Sequence, residues 1–333
     1  MTKIAVVGTG VWGTALAMHA ASAGHRVALL GRRREFVERL AASRQHPSLP
    51  GAPPIPEAVS VISEPERAFR DAAAVVWAVS VQATAEEARR LATSIPDAVP
   101  LVSASKGLEI GSKRRTSEIL GQVTGRANGL AVLSGPTFAA EVARALPAAA
   151  VVASADPEVG LALQKLLSSP TLRLYRSSDV LGVEIAGASK NVVAIAAGIV
   201  DGLRLGQNTR AAMLTRALAE VRRFGTTLGG HPDTFAGLAG VGDLILTATG
   251  DLSRNRRVGL ALAAGMTLAE AVTSLGGEVA EGVATAAVLV ELARQVNVEM
   301  PIAEIVVEIL SGQKTPREAV AALMTRRLKQ ENV

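Results

Sequence analysis

Lys3-Ile4-Ala5-Val6-Val7-Gly8-Thr9-Gly10-Val11-Trp12-Gly13 opens this 333-residue chain and decides its fold. Five residues of buried-strand character run into a G-x-G-x-x-G turn. A helix pattern then follows from Gly13 to Ala23, closed by Gly24. Set between a first strand and a first helix, this spacing is the dinucleotide fingerprint, whereas on its own it is common. Gly8, Gly10 and Gly13 let the backbone approach a pyrophosphate, and the helix N-terminus supplies N–H groups with a partial positive charge. The competing reading is a glycine turn that binds nothing. Trp12, one of two tryptophans, reads either as a core anchor or as a cofactor contact.

Working outward, Arg26–Leu30 is a second strand and 34–42 a second helix. A connection carrying Pro47, Pro50, Pro53, Pro54 and Pro56 reads as an ordered loop. Apolar β runs recur at 73–79, 100–103, 130–133 and 149–153, with helical stretches between them, notably 82–93 and 115–123. Such alternation predicts a mostly parallel sheet covered on both faces. After a last strand near 172–175 the pattern is helical to the end. The expected plan is a Rossmann-like α/β domain over residues 1–178, followed by an all-α substrate and catalytic domain over 179–333.

Composition narrows the chemistry. Hydrophobic residues make up 49% and charged residues 20%, as in a folded protein. Only 2% are aromatic, which argues against stacking platforms for single-stranded nucleic acid. The formal charge of +5 comes from scattered arginines with no continuous basic face, which suits a small anionic ligand and not a nucleic acid. With no cysteine and four histidines that lack ligand spacing, no metal is expected. No signal pattern is read at the N-terminus and no uncharged apolar run reaches the ~18 residues of a membrane span, so a cytoplasmic protein is expected.

Several segments carry candidate chemistry. Where the second strand ends, dinucleotide enzymes often place a carboxylate for the ribose 2′-hydroxyl; here stands Gly31-Arg32-Arg33-Arg34. Arginines at that corner accommodate a 2′-phosphate, which predicts NADPH over NADH; the alternative is a solvated helix start. Ser105-Lys106-Gly107 and Ser134-Gly135-Pro136-Thr137 both follow strands at the carboxyl edge of the sheet, where open α/β sheets bind ligands. In the second segment Pro136 fixes the turn and Thr137 can cap the following helix, so the alternative there is a plain helix start. Gly240-Val241-Gly242-Asp243 leads into 244–249, and Ser253-Arg254-Asn255 opens a helix over 255–264, a combination that forms an anion site or an ordinary cap.

Lys190 is the most unusual residue. Between Val183 and Val200 the only charged residues are Glu184 and Lys190. A buried ammonium costs several kcal/mol unless it is paired or sheds its proton, and lysine, unlike arginine, can shed it. Lys190 is therefore a candidate proton-transfer group, against the alternative of a lysine snorkelling from the edge of a core helix.

Together, these segments resemble the bacterial-type NAD(P)-dependent glycerol-3-phosphate dehydrogenases. The likeness rests on six motifs in order over nearly the whole chain: the fingerprint with Trp12-Gly13-Thr14-Ala15-Leu16-Ala17; 105–109; 133–139; 187–192; 240–244; and 252–257. It implies the two-domain plan of 6-phosphogluconate dehydrogenase and reduction of dihydroxyacetone phosphate to sn-glycerol 3-phosphate for phospholipid synthesis. Carried over by motif, Lys190 is the catalytic acid/base. Lys106, Gly135, Thr137, Asp243, Ser253, Arg254 and Asn255 surround the substrate. Val11, Trp12, Arg32, Arg33, Lys106, Ala139, Arg254, Val279 and Glu281 contact NADP(H) or NAD(H). A homodimer through the helical domain is a further implication. The chain departs from the family at Val79-Ser80-Val81, where proline is usual at the middle position, and at Ala248, where cysteine is common. The rivals are a dehydrogenase of the same plan acting on a 3-hydroxy acid or ketopantoate, which would need a carboxylate clamp, and a cofactor-binding sensor without chemistry.

Overall fold

The computed structural model describes residues 1–126, 128–276, 280–328 and 330–331. The N-terminal elements run β1 (Lys3–Val7), α1 (Val11–Ser22), β2 (Arg26–Leu30), α2 (Arg34–Ser43), β3 (Val59–Ile62), α3 (Pro65–Phe69), β4 (Ala72–Trp77) and α4 (Val81–Leu91). They continue β5 (Leu101–Ser103), α5 (Thr116–Thr124), β6 (Leu130–Ser134), α6 (Ala139–Ala143), β7 (Ala148–Ala153), α7 (Pro157–Leu167) and β8 (Leu172–Ser177). The eight strands form one sheet in the order β3-β2-β1-β4-β5-β6-β7-β8.

Residues 4–7 of β1 and 27–30 of β2 are buried on both faces, which is why these strands read as unbroken apolar runs. Strands β1 to β6 are parallel; β7 pairs antiparallel with β6, and β8 lies parallel to β7. This refines the sequence reading, and the reason is length. A parallel crossover usually runs back along the sheet as a full helix, and the five-residue α6, only about 7.5 Å long, does not span the length of a strand. The edge strand β3 and helix α3 follow the proline-rich connection and were hidden by it.

From residue 180 every described element is helical: α8 (Val180–Gly202), α9 (Gly206–Thr227), α10 (Pro232–Ala236), a π-helical turn (Leu238–Gly242), α11 (Asp243–Thr249), α12 (Arg254–Ala263), α13 (Leu268–Thr273), α14 (Glu281–Gln295), α15 (Pro301–Leu310) and α16 (Pro316–Met324). Helix α8 is apolar all round and therefore central, with residues 182 to 200 buried beneath α9, α11, α12, α14 and α15. By length and composition it could cross a membrane, yet it lies entirely inside this protein. Helix α12 crosses it at backbone contact. A Cβ on Gly198 would fall 2.0 Å from the Arg256 carbonyl oxygen, and one on Gly259 2.1 Å from that of Ile195. Asp179 starts α8 by accepting the Gly182 N–H at 2.8 Å. Six residues along α8 from Lys190, buried Glu184 accepts from Arg115 Nη1 (2.9 Å), Ser117 N (2.9 Å) and Ser117 Oγ (2.6 Å). These bonds hold the central helix against α5 of the sheet-bearing half.

Candidate active site

The turn after β1 is shaped by what its glycines leave out. Gly8 has φ +110°, and a Cβ there would lie 2.6 Å from the Ala78 carbonyl oxygen; one on Gly13 would lie 1.9 Å from that of Gly8. Gly10 differs: a Cβ there would meet nothing within 4 Å. It caps α1 without a side-chain hydrogen bond, so the first N–H groups of that helix face open space. This geometry fits a pyrophosphate. Trp12 Nε1 donates to the Ala104 carbonyl at 3.1 Å, and the residue borders the cleft above the sheet.

That cleft, of about 570 Å³, lies between the carboxyl edge of the sheet and helices α8, α11, α12 and α14. Its wall on the helical side holds a buried charge cluster. Lys190 is 8% exposed and Asp243 1%. Lys190 Nζ donates to Asp243 Oδ1 at 2.7 Å and to Thr247 Oγ1 at 2.8 Å. Lys106, arriving from the loop after β5, donates to the other carboxylate oxygen at 2.6 Å and to the Gly135 carbonyl at 3.0 Å. Burial alone would raise the Asp243 carboxyl, but the two ammonium groups outweigh it and hold the group below its ordinary value. Burial is the largest influence on Lys190, and the positive charge of Lys106 adds to it. Asp243 pulls the other way, and Lys190 settles at about 8. A lysine poised there exchanges protons near neutral pH.

Elsewhere the cleft is lined by the N-terminus of α12. Ser253 Oγ accepts from Arg256 N at 3.2 Å and caps α12, which leaves its own hydrogen free to donate. Arg254 follows at the first helical position, where the helix N-terminus also favours an anion. Asn255 does different work: its Nδ2 donates to Asn191 Oδ1 at 3.0 Å and its Oδ1 accepts from Gly282 N at 2.9 Å, so it ties α12 to α8 and α14. Glu281 borders the same space, pushed up to about 7 by burial while Arg254 pulls it down. Its Oε2 atom has no hydrogen-bond partner among the described residues.

Residues 3–160 match the description NAD-dependent glycerol-3-phosphate dehydrogenase N-terminus, and residues 179–321 the corresponding C-terminus. The chain belongs to this family. The glycerol-3-phosphate dehydrogenase (NAD(P)+) of Aromatoleum aromaticum is 48% identical over 331 residues, covering 99% of this chain and 100% of that protein. The protein of the same name from Geobacter sulfurreducens is 46% identical over 332 residues, 99% of this chain and 98% of that one. Among solved structures, glycerol-3-phosphate dehydrogenase from Coxiella burnetii superposes with a TM-score of 0.92 at 36% identity, covering 98% of this chain and 99% of that one.

For a glycerol-3-phosphate dehydrogenase the motif residues fall into three groups. Gly10, Val11, Trp12, Lys106, Thr137, Ala139, Lys190, Ser253, Arg254, Asn255 and Glu281 line the cleft. Gly8, Gly13, Gly135 and Asp243 stand behind it and shape or charge its wall. Arg32 and Arg33 are not among the lining residues: Arg32 pairs with Glu86 at 3.0 Å, and the Arg33 guanidinium lies 5.2 Å from the Phe36 ring centre. Val279 lies outside the described residues. One expectation is corrected. Thr137 does not cap α6; Phe138 takes that position, and Thr137 Oγ1 turns back 3.1 Å to the Gly135 carbonyl. Pro136 and the tight turn at Gly135 (φ +149°) set this direction.

The sequence reading missed Thr247 and the bracing role of Asn191. Thr247 lies four residues after Asp243, one turn along α11, so both reach Lys190 from one face. That signal becomes usable only once 243–249 is known to be helical. Ser48 and Pro50 of the proline-rich loop also border the cleft. Position 80, where this chain lacks the proline usual in the family, is the N-cap of α4 with Ser80 in extended geometry.

Proposed function

We propose that this chain reduces dihydroxyacetone phosphate to sn-glycerol 3-phosphate, reversibly, with Lys190 as the acid that protonates the new alcohol. The observation that carries the reading is a buried lysine, lowered to about 8, at the wall of a cleft whose opposite end is an uncapped glycine turn. A reduced nicotinamide, when bound, supplies hydride to the C2 carbonyl carbon. Lys190 gives its proton to the C2 oxygen, and Asp243 keeps its ammonium aimed across the cleft. Lys106 serves substrate and cofactor from the sheet side of the cleft. Ser253, Arg254 and the first N–H groups of α12 hold the substrate phosphate, while Asn255 steadies that helix end. Binding there positions a carbon several bonds away. Unphosphorylated dihydroxyacetone should therefore lose kcat as well as KM. The product is the glycerol phosphate backbone of phospholipids, and we place the enzyme in the cytoplasm as a homodimer through its helical half.

We also propose that NADPH is preferred over NADH. A Cβ at Gly31 would fall 2.5 Å from Val37 Cγ2 and 2.6 Å from Thr9 Cγ2, so the strand end that could carry a ribose-binding carboxylate is built without a side chain. Arg32 and Arg33 follow directly. The Arg32–Glu86 pair is exposed, is worth at most ~1 kcal/mol, and yields readily to a phosphate dianion. NADPH oxidation with dihydroxyacetone phosphate, set against a panel of 2- and 3-oxo acids, tests the reaction; turnover confined to the oxo acids overturns it. An unchanged ratio of NADPH to NADH kcat/KM in the Arg32→Ala, Arg33→Ala double variant overturns the cofactor assignment.

A further inference from the structure

The start and first turns of α2 carry four arginines, at 32, 33, 34 and 39, and they are not equivalent. Arg32 is paired with Glu86, and Arg34 with Glu38 at 2.8 Å. Arg33 and Arg39 have no carboxylate partner among the described residues. Both guanidinium groups lie over the same aromatic ring: Arg33 is 5.2 Å and Arg39 5.9 Å from the centre of Phe36. Two like charges gathered on one ring repel each other, and the negative face of the ring offsets only part of that repulsion. An arrangement of this kind lacks an anion.

The ring itself is held in place. His46 meets it edge-on, with ring centres 5.7 Å apart and planes at 72°. The His46 Nδ1 atom accepts from Ser48 N at 3.1 Å, so Nε2 carries the hydrogen and donates to the Thr9 carbonyl at 3.2 Å. Thr9 belongs to the glycine turn. The chain of contacts therefore runs from the cofactor turn through His46 to Phe36, and from Phe36 to two unpaired arginines beyond the end of β2.

We propose that Phe36 is a positioning residue and Arg39 a specificity-determining residue for the cofactor, with Phe36 presenting Arg33 and Arg39 together to a phosphate monoester on the 2′ position of the adenosine ribose. This rests on the NADPH reading above and extends it to two residues that no motif marks. A phosphate dianion on that ribose neutralises both guanidinium groups at once, whereas a 2′-hydroxyl leaves their repulsion in place.

The test measures competitive inhibition against NADPH by adenosine 2′,5′-bisphosphate and by adenosine 5′-monophosphate, which isolates the adenosine end from the chemistry. Replacing a cation–π shelf by an aliphatic side chain should cost about fivefold. The ratio of the two inhibition constants should therefore fall by about that factor in Phe36→Leu and in Arg39→Ala, and Phe36→Trp should retain it. Arg39 is exposed, so its variant folds and keeps the test decisive even if Phe36→Leu disturbs the loop. Unchanged ratios in both Arg39→Ala and Phe36→Leu overturn the proposal. The underlying NADPH reading fails separately, through a wild-type ratio near one or an unaltered Arg32→Ala, Arg33→Ala variant. If that double variant loses discrimination while Arg39→Ala and Phe36→Leu keep it, only the present inference is lost.

Discussion

The two ends of the cleft are built on opposite plans. At the cofactor end the working parts are main chain and empty space: Gly8 and Gly13 allow contacts that no side chain would permit, and Gly10 leaves room in front of a helix N-terminus. At the catalytic end the working parts are charges held out of water, with one carboxylate shared by two ammonium groups. A change at the first end acts by volume, and a change at the second by leaving a charge unpaired. Unpaired buried charge is the more costly of the two.

The contrast can be broken most directly at Asp243. Asp243→Ala strands two lysines, and urea unfolding should show a loss of about 3–5 kcal/mol. A loss under 1 kcal/mol would mean that the cluster is wetter than its burial implies. Next is Lys190→Ala, which should fold, retain cofactor in a fluorescence titration, and lose at least ~10²-fold in kcat. Near-normal turnover would remove Lys190 from the mechanism. Gly13→Ala places a methyl group against a carbonyl oxygen and should lower stability by about 1–3 kcal/mol, visible as a lower Tm.

The pH dependence sharpens the same contrast. With Lys190 lowered to about 8, the reduction, which uses its protonated form, should decline as pH rises through that value. Oxidation of glycerol 3-phosphate uses the neutral form and should rise through the same range. Profiles of kcat/KM that run in parallel in the two directions would contradict the assignment. The smallest effect is expected for Gly10→Ala. Nothing lies within 4 Å of the added carbon, so Tm should hold while cofactor KM rises a few-fold. An unchanged KM would show that the pyrophosphate does not lie against this turn.

Legibility in the sequence follows the same division. The cofactor turn was readable because only glycine tolerates its contacts, so the chemistry of the site is written as residue identity. Strand β1 and helix α8 were readable from unbroken apolar runs, since burial on all sides leaves no polar face to confuse the pattern. The reversed sense of β7 was not readable, because it depends on how short α6 is and helix length is poorly marked in five residues. The β3 strand lay behind five prolines. At the catalytic end, Lys190 was conspicuous as a charge in an apolar helix, but its partners Asp243 and Thr247 lie 53 and 57 residues away, and pairing across such distances carries no local signature. Asn255 stood out only through its motif, while the work it does, joining three helices through both ends of one amide, is visible only in three dimensions.

Asp243 also has a mechanical role. Lys106 belongs to the sheet-bearing half, while Lys190 and Asp243 belong to the helical half, so the carboxylate that holds Lys190 is also riveted, through Lys106, to the opposite wall. Parting the walls at that point would leave a buried carboxylate with one cation fewer. Together with the bonds from Glu184 to Arg115 and Ser117, the Lys106–Asp243 bond fastens the helical half to the sheet at two buried points.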